Sequence, residues 1–322
     1  MITASGARRW PGALLLVLLL SACAAPLQST AWRQTPPADL RQPVELSTVP
    51  FFPQTPFQCG PAALATLLVW SGVEVTPEDI VPQVYLPERQ GSLQSELLAA
   101  SRRHGRVPYV LARDLDALLR EVAAGHPVMV LQNLGLSWYP RWHYAVVVGF
   151  DMARGEVVLR SGGEARHRLS LATFERTWQR GGAWAAVVLP PSRLPATADE
   201  LSYVRTVSVL EKLDEGRTAG AAYESATRRW PASIAAWFGL GNSAYAQGRY
   251  VEAALAYRRI LALEPTHGPA LNNLANTLLQ QGELIEAERY VLAALAADAN
   301  QVAYADTLRE IRARMAARSV AQ

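Results

Sequence analysis

Apolar and polar positions follow two different rhythms in the two halves of the chain. From Pro61 to Ser71 nearly every position is apolar, the mark of a helix buried on all sides. Thr76-Pro77-Glu78-Asp79 supplies a cap, a first-turn proline and acidic side chains, and predicts a second helix start. Ser92 opens a third helix that ends at His104-Gly105. Residues 107–112 and 127–132 read as strands, with a helix over 115–124 between them. His143 to Phe150 forms a long apolar strand, and Asp151-Met-Ala-Arg-Gly-Glu156 turns the chain into a strand at 157–160. Residues 171–178 read as a short helix and 183–189 as a last strand. Helices first and mostly antiparallel strands afterwards predict an α+β domain over residues 47–190, not a doubly wound sheet.

Pro190-Pro191-Ser192-Arg193-Leu194-Pro195 continues neither strand nor helix and marks a boundary. Beyond it the pattern is helical and repeats. Pro231 and Pro265 are 34 residues apart, as are Tyr223 and Tyr257, and Ala219, Ala253 and Ala287 keep the same step. Trp237, Leu240 and Gly241, followed by Ala253, Tyr257 and Pro265, resemble the tetratricopeptide pattern of paired helices. Residues 199–322 are therefore expected to form an all-α repeat domain, with 301–318 as a polar-faced capping helix. Such arrays expose a groove for peptides or proteins, so a protein partner is expected there.

The first 23 residues read as an export signal: Arg8 and Arg9, an apolar run from Ala13 to Leu20, then Leu20-Ser21-Ala22-Cys23. That last segment resembles the lipobox of bacterial lipoproteins, which implies acylation of Cys23 and a membrane held through a lipid anchor. Ala22-Cys23-Ala24 also has the small-residue spacing of a plain cleavage site. Ala24 stands where an Asp would retain a lipoprotein on the inner membrane, so the resemblance implies an outer-membrane position facing the periplasm of a bacterial cell envelope. Residues 24–46, rich in Pro, Gln, Thr and Ser, read as a flexible tether.

Charge adds little. The formal net charge is +3, and Arg8 and Arg9 in the signal supply two of those charges, which gives no reason to expect nucleic acid. The two cysteines are Cys23 and Cys59. With Cys23 consumed by acylation, Cys59 has no partner and is a candidate reactive thiol.

Pro61 suits a first helical turn, so Cys59 sits where a helix begins, and the unpaired N–H groups there favour a thiolate. Gln54 can fold back to offer an amide beside the sulfur. His143 begins a strand and can face the same junction, which allows a Cys–His pair. The other histidines (His104, His126, His167 and His267) fall in helix ends, turns or polar loops and are expected to face solvent. No His, Cys, Asp and Glu set has metal-ligand spacing, so neither a metal nor another cofactor is expected. Trp138, Tyr139, Trp142 and Tyr144 flank His143 and either line an aromatic cleft or serve as packing.

Gln54 with Cys59-Gly60-Pro61-Ala62-Ala63, together with His143-Tyr144 opening an apolar strand to Asp151, is similar to the papain-like peptidases that process bacteriocins at a double-glycine leader, family thirty-nine of the cysteine peptidases. The resemblance covers about residues 47–190. It implies a papain-like fold, Cys59 as nucleophile, His143 as general base and then acid, and Gln54 as oxyanion donor. Gln54 stands five residues before Cys59, where many relatives have six. The family's Asp or Asn on the next strand falls here near Arg160-Ser161. Ser161 and Asp151 are the two groups left to orient His143.

Three functions follow for this site. The first is a membrane-anchored cysteine peptidase acting on a peptide or protein. The second is an inactive lipoprotein scaffold that binds peptides in the same cleft, and the third is acyl transfer to an amine.

Overall fold

The structure, a computed structural model, describes residues 28–54, 57–211 and 216–320. The signal segment 1–23, with Cys23, lies outside the described residues.

In chain order the first domain contains α1 (Gln28–Gln34), β1 (Val44–Glu45), α2 (Cys59–Trp70), α3 (Pro77–Val84), β2 (Tyr85–Leu86), β3 (Gly91–Ser92), α4 (Gln94–Arg103), β4 (Val107–Val110) and α5 (Leu115–Ala123). It continues through β5 (Val128–Asn133), β6 (Trp142–Asp151), β7 (Glu156–Ser161), β8 (Glu164–Ser170), α6 (Leu171–Arg180) and β9 (Ala185–Leu189). Among the described residues the main sheet has seven strands, in the order β4-β9-β5-β6-β7-β8 with β1 paired to β6, and its pairings are antiparallel. α3 starts where the sequence predicts a helix start, and Thr76 and Asp79 there cap it reciprocally.

The period-two alternation of the strands builds two cores. Met129, Val146 and Val148 pack with Leu64, Leu67 and Leu68 of α2, together with Ile80 and Leu97. Val128, Val130 and Val147 point the other way, toward Leu118, Leu119 and Val122 of α5 and Phe174 and Trp178 of α6. The uniformly apolar α2 is thus the helix beneath the sheet, and its first residue emerges at the sheet's end.

Two segments depart from the sequence expectation. Residues 28–46 are packed, not a free tether. The backbone N–H groups of Gln28 and Ser29 donate to the buried Glu175 carboxylate at 2.8 and 2.9 Å. Trp32 packs on the core, Leu40 is fully buried, and Val44 pairs with Phe150. Isolated anchor residues do this without any periodic pattern. The strand β8 was not expected because Glu-Ala-Arg-His-Arg-Leu-Ser lacks apolar alternation; it is an edge strand whose charges remain on the surface.

The second region comprises α7 (Glu200–Ser208), α8 (Arg217–Arg229), α9 (Ile234–Ala246), α10 (Tyr250–Leu263), α11 (Gly268–Gln281), α12 (Leu284–Ala297) and α13 (Val302–Val320). Gly241 on α9 faces the ring of Tyr257 on α10, and a methyl there would fall 2.6 Å from a ring carbon. Tyr257 also donates to Asn242 Oδ1 at 2.8 Å. The recurring glycines, alanines and tyrosines are therefore the contacts between stacked helices. Tyr203, Val207, Ala219 and Tyr223 join the same buried cluster as Tyr109 and Leu118, so one apolar core runs from the sheet into the first repeat helices.

A buried carboxylate fixes this junction. Glu121 of α5 accepts from His126 Nδ1 at 2.6 Å and from the backbone N–H groups of Ala196 and Thr197 at 3.1 and 2.7 Å. The Thr197 hydroxyl donates to it as well, at 2.7 Å. His126 is thus a buried partner, not the solvent-facing residue expected from its place in a turn.

Candidate active site

Cys59 is the first residue of α2, and Gln58 before it makes no side-chain cap. The first turn has room because residue 60 is glycine: a Cβ there would lie 2.7 Å from Ser92 Oγ and 3.5 Å from Tyr144 Cδ2. The thiol lies against the backbone N–H groups of Tyr144, Gly60 and Cys59 itself. Tyr144 follows His143 on β6, so the sulfur meets the strand one residue from the imidazole.

His143 is held from its far side. Its Nε2 lies 2.8 Å from Ser161 Oγ at the end of β7, leaving Nδ1 on the other edge of the ring. Ser161 is thus the residue against the imidazole. Asp151 is not: it closes the opposite end of β6, pairs with Glu156, and accepts from the Arg154 backbone N–H at 3.1 Å. The β6–β7 hairpin, whose register shifts between Val147 and Gly149, puts most of the strand's length between Asp151 and His143.

Gln54 reaches the same place. Its backbone N–H donates to the Gly162 carbonyl and its Oε1 accepts from the Gly162 N–H, both at 2.9 Å. Its Nε2 donates to the Tyr144 carbonyl at 3.2 Å. A primary amide carries two N–H groups, so one donor remains beyond that bond. Arg160, mostly buried, donates from Nε to the Val49 carbonyl at 3.1 Å and ties β7 to the segment that delivers Gln54.

The expected resting thiolate is not what this environment favours. Burial pushes the Cys59 thiol up, and the three backbone N–H groups oppose that only in part. Burial, and then the charge of His167, push His143 down to about 4. Both shifts favour a neutral thiol beside a neutral imidazole. The described contacts of the thiol are with backbone amides, not with the ring.

His167, expected to face solvent, is half-buried on β8 and pairs with Glu164 at 3.1 Å. Its proximity to His143 was illegible in the sequence because β8 itself was. Trp138, Tyr139 and Trp142 are exposed, whereas Tyr144 is buried, its hydroxyl donating to the Ser92 carbonyl at 3.2 Å. The flanking aromatics thus divide between surface and packing. Among the described residues, no three His, Cys, Asp or Glu side chains gather as a metal-ligand set.

Residues 46–185 match the Peptidase_C39 like family, and residues 208–268 and 244–311 match tetratricopeptide repeats. The probable biofilm formation methyltransferase WspC of Pseudomonas putida is 32% identical over 108 residues, covering 32% of this chain and 26% of that protein. The chain therefore spans about a quarter of the length of the curated relative it matches. A putative C39-like peptidase from Bacillus anthracis is similar over 46% of this chain and 98% of its own, at 18% identity and a TM-score of 0.40. The type III secretion chaperone SycD of Yersinia enterocolitica, solved with a peptide of the translocator YopD, covers 37% of this chain and 97% of its own, at 20% identity and a TM-score of 0.35. This chain carries a Peptidase_C39 like domain over residues 46–185, followed by tetratricopeptide repeats.

Proposed function

We propose that the protein is a membrane-anchored cysteine peptidase whose repeats bind a protein substrate or partner. The observation that carries this reading is the placement of the Cys59 thiol at the Tyr144 amide, next to His143, whose Nε2 rests on Ser161. The neutral pair calls for general-base attack. As a substrate enters, the thiol and imidazole draw together, a tightening common to sites that are loose when empty. Cys59 Sγ forms a bond to the scissile carbonyl carbon while its proton passes to His143. The oxyanion is held by the Cys59 backbone N–H and the second Gln54 Nε2 hydrogen. Collapse breaks the C–N bond, and the leaving amine takes the proton from His143. Water then attacks the thioester, giving its proton to His143, and the acid product leaves as the thiol is restored.

Acylation of Cys23 places the enzyme in the envelope, at the outer membrane facing the periplasm, and Cys23→Ala removes palmitate labelling. The deciding experiment compares periplasmic peptides from cells carrying wild-type or Cys59→Ala protein. Cleavage products that vanish with Cys59→Ala support the peptidase; identical peptidomes with both proteins folded reject it.

A second reading is a peptide-binding module without turnover. Ser161 favours it, because a hydroxyl stabilises an imidazolium far less than a carboxylate would. Peptides retained equally by wild-type and Cys59→Ala protein, with no products formed, would establish it. Adding amine acceptors to the same assay tests acyl transfer.

A further inference from the structure

Residues 134–142, Leu-Gly-Leu-Ser-Trp-Tyr-Pro-Arg-Trp, run from the end of β5 into the first residue of β6 and contain one cation and no carboxylate. Trp138 is 81% exposed and Tyr139 68%, and Leu134, Leu136 and Trp142 are exposed beside them. This display is built, not left over from poor packing. The buried Asn133 accepts at Oδ1 from the N–H groups of Gly135 and Arg141, both at 2.9 Å, and donates from Nδ2 to the Leu136 carbonyl at 3.2 Å. Leu136 and Tyr139 exchange two backbone bonds, at 3.1 and 3.2 Å. A residue with a Cβ at 135 would place it 2.4 Å from the Tyr139 carbonyl oxygen. A pre-shaped loop that holds several large apolar side chains in water marks an interaction surface.

Its position in the fold indicates what covers it. Arg180, at the end of α6, donates to the Asn133 carbonyl at 3.1 Å. Glu175, on the same helix, holds the N–H groups of Gln28 and Ser29. Five residues of helix put these anchors about 7.5 Å apart along the axis, on different faces of α6. The chain therefore enters the described fold on the helix that also braces the base of the aromatic loop. From Cys23 to Gln28 it can extend at most about 18 Å. If Cys23 carries the lipid, as proposed above, the bilayer surface lies within that reach of α6.

We propose that the 134–142 loop seats in the headgroup region of a phospholipid bilayer. Trp and Tyr suit the membrane–water boundary because each has an apolar body and a polar edge. Arg141 and Arg180 add positive charge that favours anionic headgroups. The seated loop turns the Cys59–His143 site, whose imidazole is one residue beyond Trp142, toward the membrane surface.

The test uses full-length acylated protein in phosphatidylethanolamine–phosphatidylglycerol vesicles whose acyl chains carry bromine, a short-range quencher of tryptophan. Quenching in wild type and loss of most of it in W138F/W142F, which keeps the apolar surface but removes the two fluorophores, supports the proposal. Protein that takes up palmitate label and co-sediments with vesicles, yet is not quenched, overturns loop docking while leaving the anchor intact. If no label is taken up, the anchor reading fails separately. Unacylated protein added to the same vesicles then supports docking if its quenching depends on Trp138 and Trp142, and overturns it if not. Absence of quenching with a loss of kcat/KM for W138S/W142S in detergent assigns the loop to a substrate peptide instead.

Discussion

Gln54 and Gly162, 108 residues apart in the chain, are joined by two hydrogen bonds of 2.9 Å, one through the Gln54 backbone and one through its side-chain oxygen. The clamp turns the side-chain nitrogen toward the Tyr144 carbonyl, beside the thiol. Orientation and donation are therefore separable functions of one amide.

Gln54→Glu keeps an acceptor for the Gly162 N–H but cannot donate to an oxyanion. We expect both Gln54→Glu and Gln54→Ala to lower kcat by roughly 100- to 1,000-fold with a smaller change in KM. Only Gln54→Ala should loosen the Gly162 hairpin, read as faster amide exchange there. Equal kcat for Gln54→Glu and wild type would remove Gln54 from the oxyanion site.

His143 gives the fold a pH dependence with a definite sign. Its folded value lies near 4, against 6.5 for the free side chain. Between those values the unfolded chain binds the proton more readily, so the contribution is fully present above about pH 6.5 and is lost as pH falls toward 4. Full burial would set an upper bound of about 3 kcal/mol. Thermal unfolding at pH 4.5 and 7 should show a smaller difference for His143→Gln than for wild type.

Ser161→Asp places a carboxylate at His143 Nε2 and favours the imidazolium. The imidazolium in turn favours a thiolate at Cys59. Iodoacetamide alkylation at pH 7 should then exceed that of wild type by about tenfold or more, one pKa unit being a factor of ten. An unchanged rate would mean that the ring and the sulfur do not communicate.

Glu121 is raised by burial and lowered more strongly by the donors from His126, Thr197 and Ala196, with a net downward shift. Its stabilisation is present above the usual carboxylate value and is lost as pH falls through the lower folded value. Glu121→Gln should destabilise the protein by about 3 kcal/mol, in the range seen when one member of a buried pair is removed. Amide exchange should rise first at Ala196 and Thr197, on the junction.

Gly241→Ala forces a methyl against the Tyr257 ring, which its bond to Asn242 fixes in place. A cost of about 1–3 kcal/mol is expected for such overpacking. Chemical denaturation of Gly241→Ala and the exposed control Gly248→Ala should separate this contact from the strain of a left-handed turn.

Much of the α+β order was legible because α2 and β6 carry dense apolar runs, and the repeats because Tyr223 and Tyr257 recur at a fixed step. The placement of Cys59 at a helix start followed from Pro61. Other features depend on contacts made across the fold. Glu175 reaches back to Gln28, so α1 left no periodic trace of its docking. The edge strand β8 is written almost entirely in polar residues, which hid both Gly162 beneath Gln54 and His167 beside His143. The neutral state of the thiol was also hidden. Helix position alone argues for an anion, and the partial burial of Cys59 against the core reverses the balance.

The apolar core shared by Tyr109, Tyr203 and Tyr223 makes the repeat array a rigid arm, not a module on a string. In the proposed peptidase the span from a docked partner to the sulfur is then a fixed length, and the array works as a ruler. Cleavage would fall at a set number of residues from the docked segment, whatever the sequence in between.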